Sequence, residues 1–394
     1  MSKQYAVIAK AVRTPFGSYF GKLSQIRPDD LLANTIKELV KRVPDFDLQS
    51  IDDVIMGDAN GSGEDNRNVA RMASLLAGLP VSTPGMTINR LCGSGAEAMV
   101  QAARSIQSGD NKYVLAGGVE SMSRAPWIVQ RHDKKPPEKV KVSQLNQSTV
   151  GWRMTNPLMP SEWTQSLGRC AEMVAEKFNI SRQAQDEWAA RSHQRALKAW
   201  ESGIHDSFVY PIGGLTRDES IRPETTVETL AGLKSAFSEN GAVTAGNSSP
   251  INDGALAALV TTGENARKLG INPICEITGS QVVGIAPHEF TRAPAQAIKK
   301  LMSKLNLKYE DVKVWEINEA FAAMVLSVLH EVPEIDRERV NVNGGAIAMG
   351  HPLGASGARV IVDAGRELQR RGGGIAIAAA CIGVGQGIAV AVRV

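Results

Sequence analysis

The sequence predicts an α/β protein made of two related halves, the first opened by a long insertion. Three observations carry this. Residues 1–120 alternate strand-like and helix-like stretches. Residues 122–248 change to loop-rich, charged texture, and the last third returns to the opening order. "GSGAEAMVQAARSIQSG" with "NKYVLAGG" is echoed by "GASGARVIVDAGRELQRRG" with "GGIAIAAAC". Each is a small-residue loop, a helix, a glycine stop and a strand.

In chain order, 5–9 reads as a first strand and 52–59 as a second. A helix over 68–78 ends at Gly78, and 85–91 is a strand running into Cys92. A helix over 95–109 precedes a strand over 112–121. Within the insertion, 169–203 is strongly helical, with Ser181 placed to cap its second part. The α/β character resumes at 251–262. Strands at 275–284 and 312–318 alternate with helices at 293–306 and 319–332. A helix at 356–372 and strands at 374–381 and 387–394 close the chain. The boundaries follow: 1–121 begins the first half, 122–248 is the insertion, 249–272 completes the first half, and 273–394 is the second.

The length of 394 residues allows a large core, and the net charge of +3 gives no basic surface for nucleic acid or membrane lipid. No apolar run reaches the ~18 residues of a membrane span, and the N-terminus lacks a signal-peptide pattern. A cytoplasmic protein is expected. The four cysteines, Cys92, Cys170, Cys275 and Cys381, form no C-x-x-C pair and no zinc spacing, so no metal is expected.

Chemistry gathers at four places. In "INRLCGSG", Cys92 stands before a helix N-terminus, whose free N–H groups and dipole favour thiolate. Either a packed core thiol or a nucleophile fits. In "NVNGGAIAMGHPLGASGA", His351 lies between glycine-rich loops and the matching helix start, where a base for a thiol fits. The echo predicts that a pseudo-twofold axis brings these two helix N-termini together. In "AACIGVGQG", Cys381 ends an apolar strand at a hairpin turn. No helix follows, which rejects a dinucleotide loop and leaves a second thiol for acid/base work. In "EINEAFAAM", Asn318 is either a helix N-cap or a side chain that fixes a water or a carbonyl. The loop "RHDKKPPEKVKV" reads as solvated, with a cationic face open to an anionic ligand.

These motifs, with "VRTPFG", "GGVESMS" and "GNSSPINDGA", resemble the thiolase family in order and spacing along the whole chain. The resemblance implies two βαβαβαββ halves in a layered α/β/α/β/α sandwich, with a loop domain over coenzyme A. It implies homodimers or homotetramers, and acyl-CoA substrates with no permanently bound cofactor. It implies ping-pong Claisen chemistry in which Cys92 is acylated, His351 takes its proton and Cys381 exchanges a proton with the acetyl-CoA carbanion. Two oxyanion sites are implied, one from His351 with Asn318 and one from the N–H groups of Cys92 and Gly383. Coenzyme A contacts carry over to Arg222, Phe237, Ser249, Ala320 and Phe321.

The chain departs from short-chain biosynthetic members at "SLG" (166–168), around Leu167, and from many members at "VGIAPHEFTRAPA" (283–295). Both stretches touch the acyl pocket. A short 3-oxoacyl-CoA such as acetoacetyl-CoA is the leading expectation for substrate. The alternative is a degradative enzyme for longer or functionalised substrates, such as 3-oxoadipyl-CoA. A sterol-carrier-like lipid-binding relative is the non-enzymatic alternative. Decarboxylating ketoacyl synthases pair their cysteine with two histidines, and Asn318 and Cys381 stand against that class.

Overall fold

The computed structural model describes residues 5–131 and 139–394. Most of the charged loop at 131–142 lies outside the described residues, so its expected cationic face has no structural counterpart here. The first half contributes β1 (Ala6–Arg13), β2 (Asp53–Gly57), β3 (Gly85–Ile88), β4 (Tyr113–Ser121) and β5 (Asn252–Thr262). The second contributes β6 (Cys275–Gly284), β7 (Val312–Ile317), β8 (Ile375–Ile382) and β9 (Gln386–Arg393).

One hydrogen-bonded path joins them in the order β3-β2-β4-β5-β1-β6-β9-β8-β7. The two sides of this path correspond. β4 and β5 are antiparallel and β2 and β4 parallel, as β8 and β9 are antiparallel and β7 and β8 parallel. The place of β3 in the second half is taken by a single parallel bridge, Trp315 to Val340. The halves meet where β1 pairs antiparallel with β6, Ala6 opposite Ile277 and Ile8 opposite Cys275.

Side-chain alternation on the strands sets the layers. On β1, Ala6 and Ile8 face an inner apolar cluster, and Val7 and Ala9 an outer one. The outer cluster of the first half is covered by α1 (Pro28–Lys41) and α2 (Val69–Leu76). The outer cluster of the second half is covered by α4 (Leu167–Lys177), α5 (Arg182–Glu201), α6 (Ala293–Leu305) and α7 (Ala322–Glu331). Between the halves lie α3 (Ser94–Ser108) and α8 (Leu353–Arg370), whose Ala96, Met99, Val360 and Ile361 share the inner cluster. This is the layered α/β/α/β/α arrangement that the motifs imply.

The two central helices touch at their N-termini, as the sequence echo predicts. A Cβ at Gly95 would lie 2.5 Å from the carbonyl oxygen of Gly354, so only glycine permits this approach. The helical stretch expected over 169–203 is two helices. The Ser181 side chain accepts from the Ala184 N–H at 3.1 Å and starts the second. The chain leaves the main sheet after Ser121 and rejoins it at Asn252. The intervening segment is clamped to β1 by a buried ion pair. Arg13 donates to both Asp218 oxygens at 2.6 and 2.8 Å, and Asp218 also accepts from the Phe16 N–H at 2.8 Å.

Candidate active site

Cys92 sits on the tight connection between β3 and α3. Leu91, just before it, has φ 47°, a left-handed conformation that costs a bulky residue energy. Side chains hold the turn there. Asn89 accepts from the Leu91 N–H at 2.9 Å. Ser94 Oγ accepts from the Arg90 N–H at 2.9 Å and donates to Leu91 O at 2.6 Å. The thiol is therefore fixed at the tip, 8% exposed.

His351 occupies the matching place before α8. Its N–H donates to Asn252 Oδ1 at 2.9 Å, which ties the loop to β5. The Ser356 hydroxyl donates to Pro352 O at 2.8 Å, so its oxygen must accept at the 2.7 Å contact with His351 Nδ1. The ring proton is thus on Nδ1, and Nε2 carries the free lone pair. Asn318 Nδ2 lies 3.3 Å from Nε2 and 3.4 Å from Nδ1. A donor nearly equidistant from both ring nitrogens is aligned with neither lone pair, so Nε2 remains available as a base.

Asn318 is not a helix cap. Its N–H donates to Ala379 O on β8 at 2.9 Å, and α7 begins only at Ala322. The next residue, Glu319, is the anchor that the sequence reading passed over. Its buried carboxylate accepts from Trp188 Nε1 at 3.0 Å, Ser192 Oγ at 2.6 Å and Asn341 Nδ2 at 2.8 Å. Helix α5 and the loop after Val340 are thereby locked to the Asn318 turn. The signal was present as a buried-type acid inside an apolar run, but its donors are remote in sequence.

Cys381 ends β8 opposite Gly387 on β9, in the hairpin expected there. It lies close enough to Cys92 for a charge on either to disfavour one on the other. The expected thiolate at Cys92 is not what this environment favours. Burial pushes the Cys92 thiol up to about 11, against the opposing pull of the Gly383 and Cys92 N–H groups. Burial, with the Arg359 charge, brings His351 down to about 3. The helix end is real, but desolvation outweighs it. These shifts favour a neutral thiol and a neutral imidazole at neutral pH.

Cys92, His351 and Cys381 line one cavity of about 540 Å³. Leu167, Phe237, Ser249, Ala320 and Phe321 line it as well. Phe237 meets Phe321 edge-on, with ring centroids 6.1 Å apart, and Ser249 N–H donates to Ala320 O at 2.9 Å. The Gly383 N–H is aimed at the Cys92 sulfur. Arg222 does not reach this cavity, and Asn318 and Gly383 are not among the residues that line it. Arg222 is exposed, and its backbone N–H donates to His193 Nδ1 at 3.2 Å. The insertion adds Gln147, Trp152 and Thr164 to the wall, none of which the sequence reading singled out. Among the described residues no lysine, arginine or carboxylate lines it. A thiol and a free imidazole nitrogen on the wall of one cavity, with N–H groups aimed at the sulfur, can form and discharge a thioester. Among the described residues no group of His, Cys, Asp or Glu could hold a metal, and no helix is long and apolar enough to cross a membrane.

Comparison with known proteins gives the family. Residues 6–264 match the family model of the thiolase N-terminal domain, and 271–394 that of the thiolase C-terminal domain. The chain is 48% identical to the 3-oxoadipyl-CoA/3-oxo-5,6-dehydrosuberyl-CoA thiolase of Escherichia coli, over 98% of both chains. It is 45% identical to the beta-ketoadipyl-CoA thiolase of Pseudomonas knackmussii, again over 98% of both. Among solved structures, the acetyl-CoA acetyltransferase of Bacillus anthracis superposes with a TM-score of 0.91 at 39% identity, over 99% of both chains. Human mitochondrial 3-ketoacyl-CoA thiolase in complex with CoA gives 0.90 at 36%, over 99% of this chain and 98% of that one. Matched through both halves and over nearly the full length of these relatives, the chain is an acyltransferase of the thiolase family.

Proposed function

We propose that this thiolase cleaves 3-oxoadipyl-CoA with coenzyme A, giving acetyl-CoA and succinyl-CoA. The observation that carries the substrate is the run of relatives at 44–48% identity named for that compound. It favours a dicarboxylic substrate over acetoacetyl-CoA, the leading expectation from sequence. Gln147 and Thr164 on the cavity wall are neutral donors that the distal carboxylate could meet.

The chemistry we assign runs as follows. Cys92 Sγ attacks C3 of the substrate while His351 Nε2 takes the thiol proton. With the thiol high and the imidazole low, a free ion pair is unfavourable, so proton transfer accompanies carbon–sulfur bond formation. The C3 oxygen lies against the N–H groups of Cys92 and Gly383. The C2–C3 bond breaks and its electron pair passes to C2. The thioester oxygen of the resulting enolate faces the Asn318–His351 side. Cys381 gives its proton to C2, and acetyl-CoA leaves. Coenzyme A then attacks the succinyl-Cys92 thioester as Cys381 takes the thiol proton; the carbon–sulfur bond to Cys92 breaks, His351 returns its proton to the Cys92 sulfur, and succinyl-CoA departs.

The test is thiolysis of 3-oxoadipyl-CoA and acetoacetyl-CoA side by side, with acetyl-CoA measured by mass spectrometry. The expected result is a kcat/KM at least 10-fold higher for 3-oxoadipyl-CoA. Preference for acetoacetyl-CoA would reject the substrate. Activity surviving in Cys92→Ala would reject the mechanism.

A further inference from the structure

Arg359 belongs to the "GHPLGASGAR" motif, yet no step above uses it. Its side chain is fully buried in α8, behind Asn318. Nη2 lies 3.4 Å from Asn318 Oδ1, and Nη1 donates to Asp363 Oδ2 at 3.0 Å. Glu316, two residues before Asn318 on β7, is buried within reach of the same charge. The guanidinium therefore spans from a carboxylate to the far side of the Asn318 carboxamide.

We propose that Arg359 is a positioning residue that fixes which end of the Asn318 amide faces His351 on the cavity wall. This rests on the assignment of Asn318 to the enolate-oxygen side. A carboxamide has nearly the same shape after a 180° turn, so packing alone selects its orientation poorly. Charge selects it. A distance of 3.4 Å is long for a hydrogen bond, but a buried cation attracts Oδ1 and repels Nδ2 strongly at that range. Oδ1 is held inward and Nδ2 stays toward His351. In the reverse orientation the amide oxygen would face the enolate oxygen and oppose its negative charge. Lysine cannot replace the arginine, because one ammonium cannot span Asp363 and Asn318 together.

The two oxyanion sites separate the prediction. Exchange of free CoA with acetyl-CoA through Cys92 uses only the Cys92–Gly383 side. Carbon–carbon cleavage uses both. Arg359→Lys keeps a cation beside Asp363 and is expected to fold. It should lower thiolysis by about 10²-fold, the effect of losing one oxyanion donor, and leave CoA exchange within about threefold. Asp363→Asn disturbs the same cluster but spares the Arg359–Asn318 contact, and should keep the wild-type ratio of the two rates. The proposal fails if Arg359→Lys leaves that ratio unchanged or lowers both rates equally. It also fails if Asp363→Asn lowers the ratio as much. Should Arg359→Lys not fold, Arg359→Met with Asp363→Asn removes both charges and is read by the same ratio. Asn318→Ala separates the two levels. If it lowers the ratio while the Arg359 variants do not, only the role of Arg359 falls. If it does not, the assignment of Asn318 falls too.

Discussion

The Ser356 hydroxyl decides which nitrogen of His351 is the base. Its proton goes to Pro352 O, so it can only accept from Nδ1–H. Removing it frees the ring to rotate or change tautomer without touching the substrate. Ser356→Ala should lower kcat by about 10-fold, a part of the ~10²–10⁴ attributed to general-base catalysis, and leave KM near wild type. A parallel rise in KM would show a collapsed pocket instead. Cys92 supports a second prediction. A thiol raised to about 11 should be alkylated by iodoacetamide at a rate that still climbs above pH 9. A plateau between pH 6 and 7 would mean that a thiolate already exists at neutral pH. Acetyl-CoA should protect Cys92 by acetylating it.

At the scale of elements, the Arg13–Asp218 pair joins the insertion to β1, and the insertion supplies Gln147, Trp152 and Phe237 to the cavity wall. Burial raises Asp218, but the Arg13 charge and hydrogen bonds outweigh it and hold the carboxyl below its usual range. Arg13→Met leaves that carboxylate buried and unpaired, which costs about 3–5 kcal/mol. Thermal unfolding should show the loss, and a rise in KM for CoA should accompany it. Unchanged unfolding would mean that water reaches Asp218. The elements themselves were legible because each carries a local signal. Ser181 caps α5, and small residues mark both loops before the central helices. Asn318 was ambiguous because its partners, His351 and Arg359, come from α8 and the loop before it. Arg13 stood in a quoted motif, yet its partner is more than two hundred residues away. The protonation of Cys92 could not be read at all. It depends on desolvation by the assembled halves, whereas the sequence displays only the helix end.

Across the whole molecule, buried carboxyls and buried histidines act on stability in opposite directions of pH. Asp58, at the end of β2, and Glu120, on β4, lie where the halves meet. Glu120 Oε2 accepts from the Ala59 N–H and, across the junction, from the Gly354 N–H, both at 2.9 Å. Burial, with repulsion from its acidic neighbours, raises Asp58 to about 8, and Glu120 rises for the same reasons. An unfolded Asp titrates near ~3.9. The Asp58 contribution is therefore complete below about pH 4 and is lost as pH rises through about 8. Burial brings His193 and His205 down to about 4 and His351 to about 3, against an unfolded value of ~6.5. Their contribution is complete above ~6.5 and is lost as pH falls toward those values. Between pH 4 and 6.5 the two sets offset one another. Between pH 7 and about 8 the histidines are silent in both states and the raised carboxyls set most of the slope; above that, unfolded thiols ionise near ~8.5 while the buried ones stay protonated. The melting temperature should therefore fall from pH 7 to pH 9. Asp58→Asn keeps the shape of the side chain and removes the charge that must form, so it should flatten this decline and raise stability at pH 9. A variant that declines as steeply as the native chain would place the alkaline loss in the buried thiols, whose raised values give the same sign at higher pH.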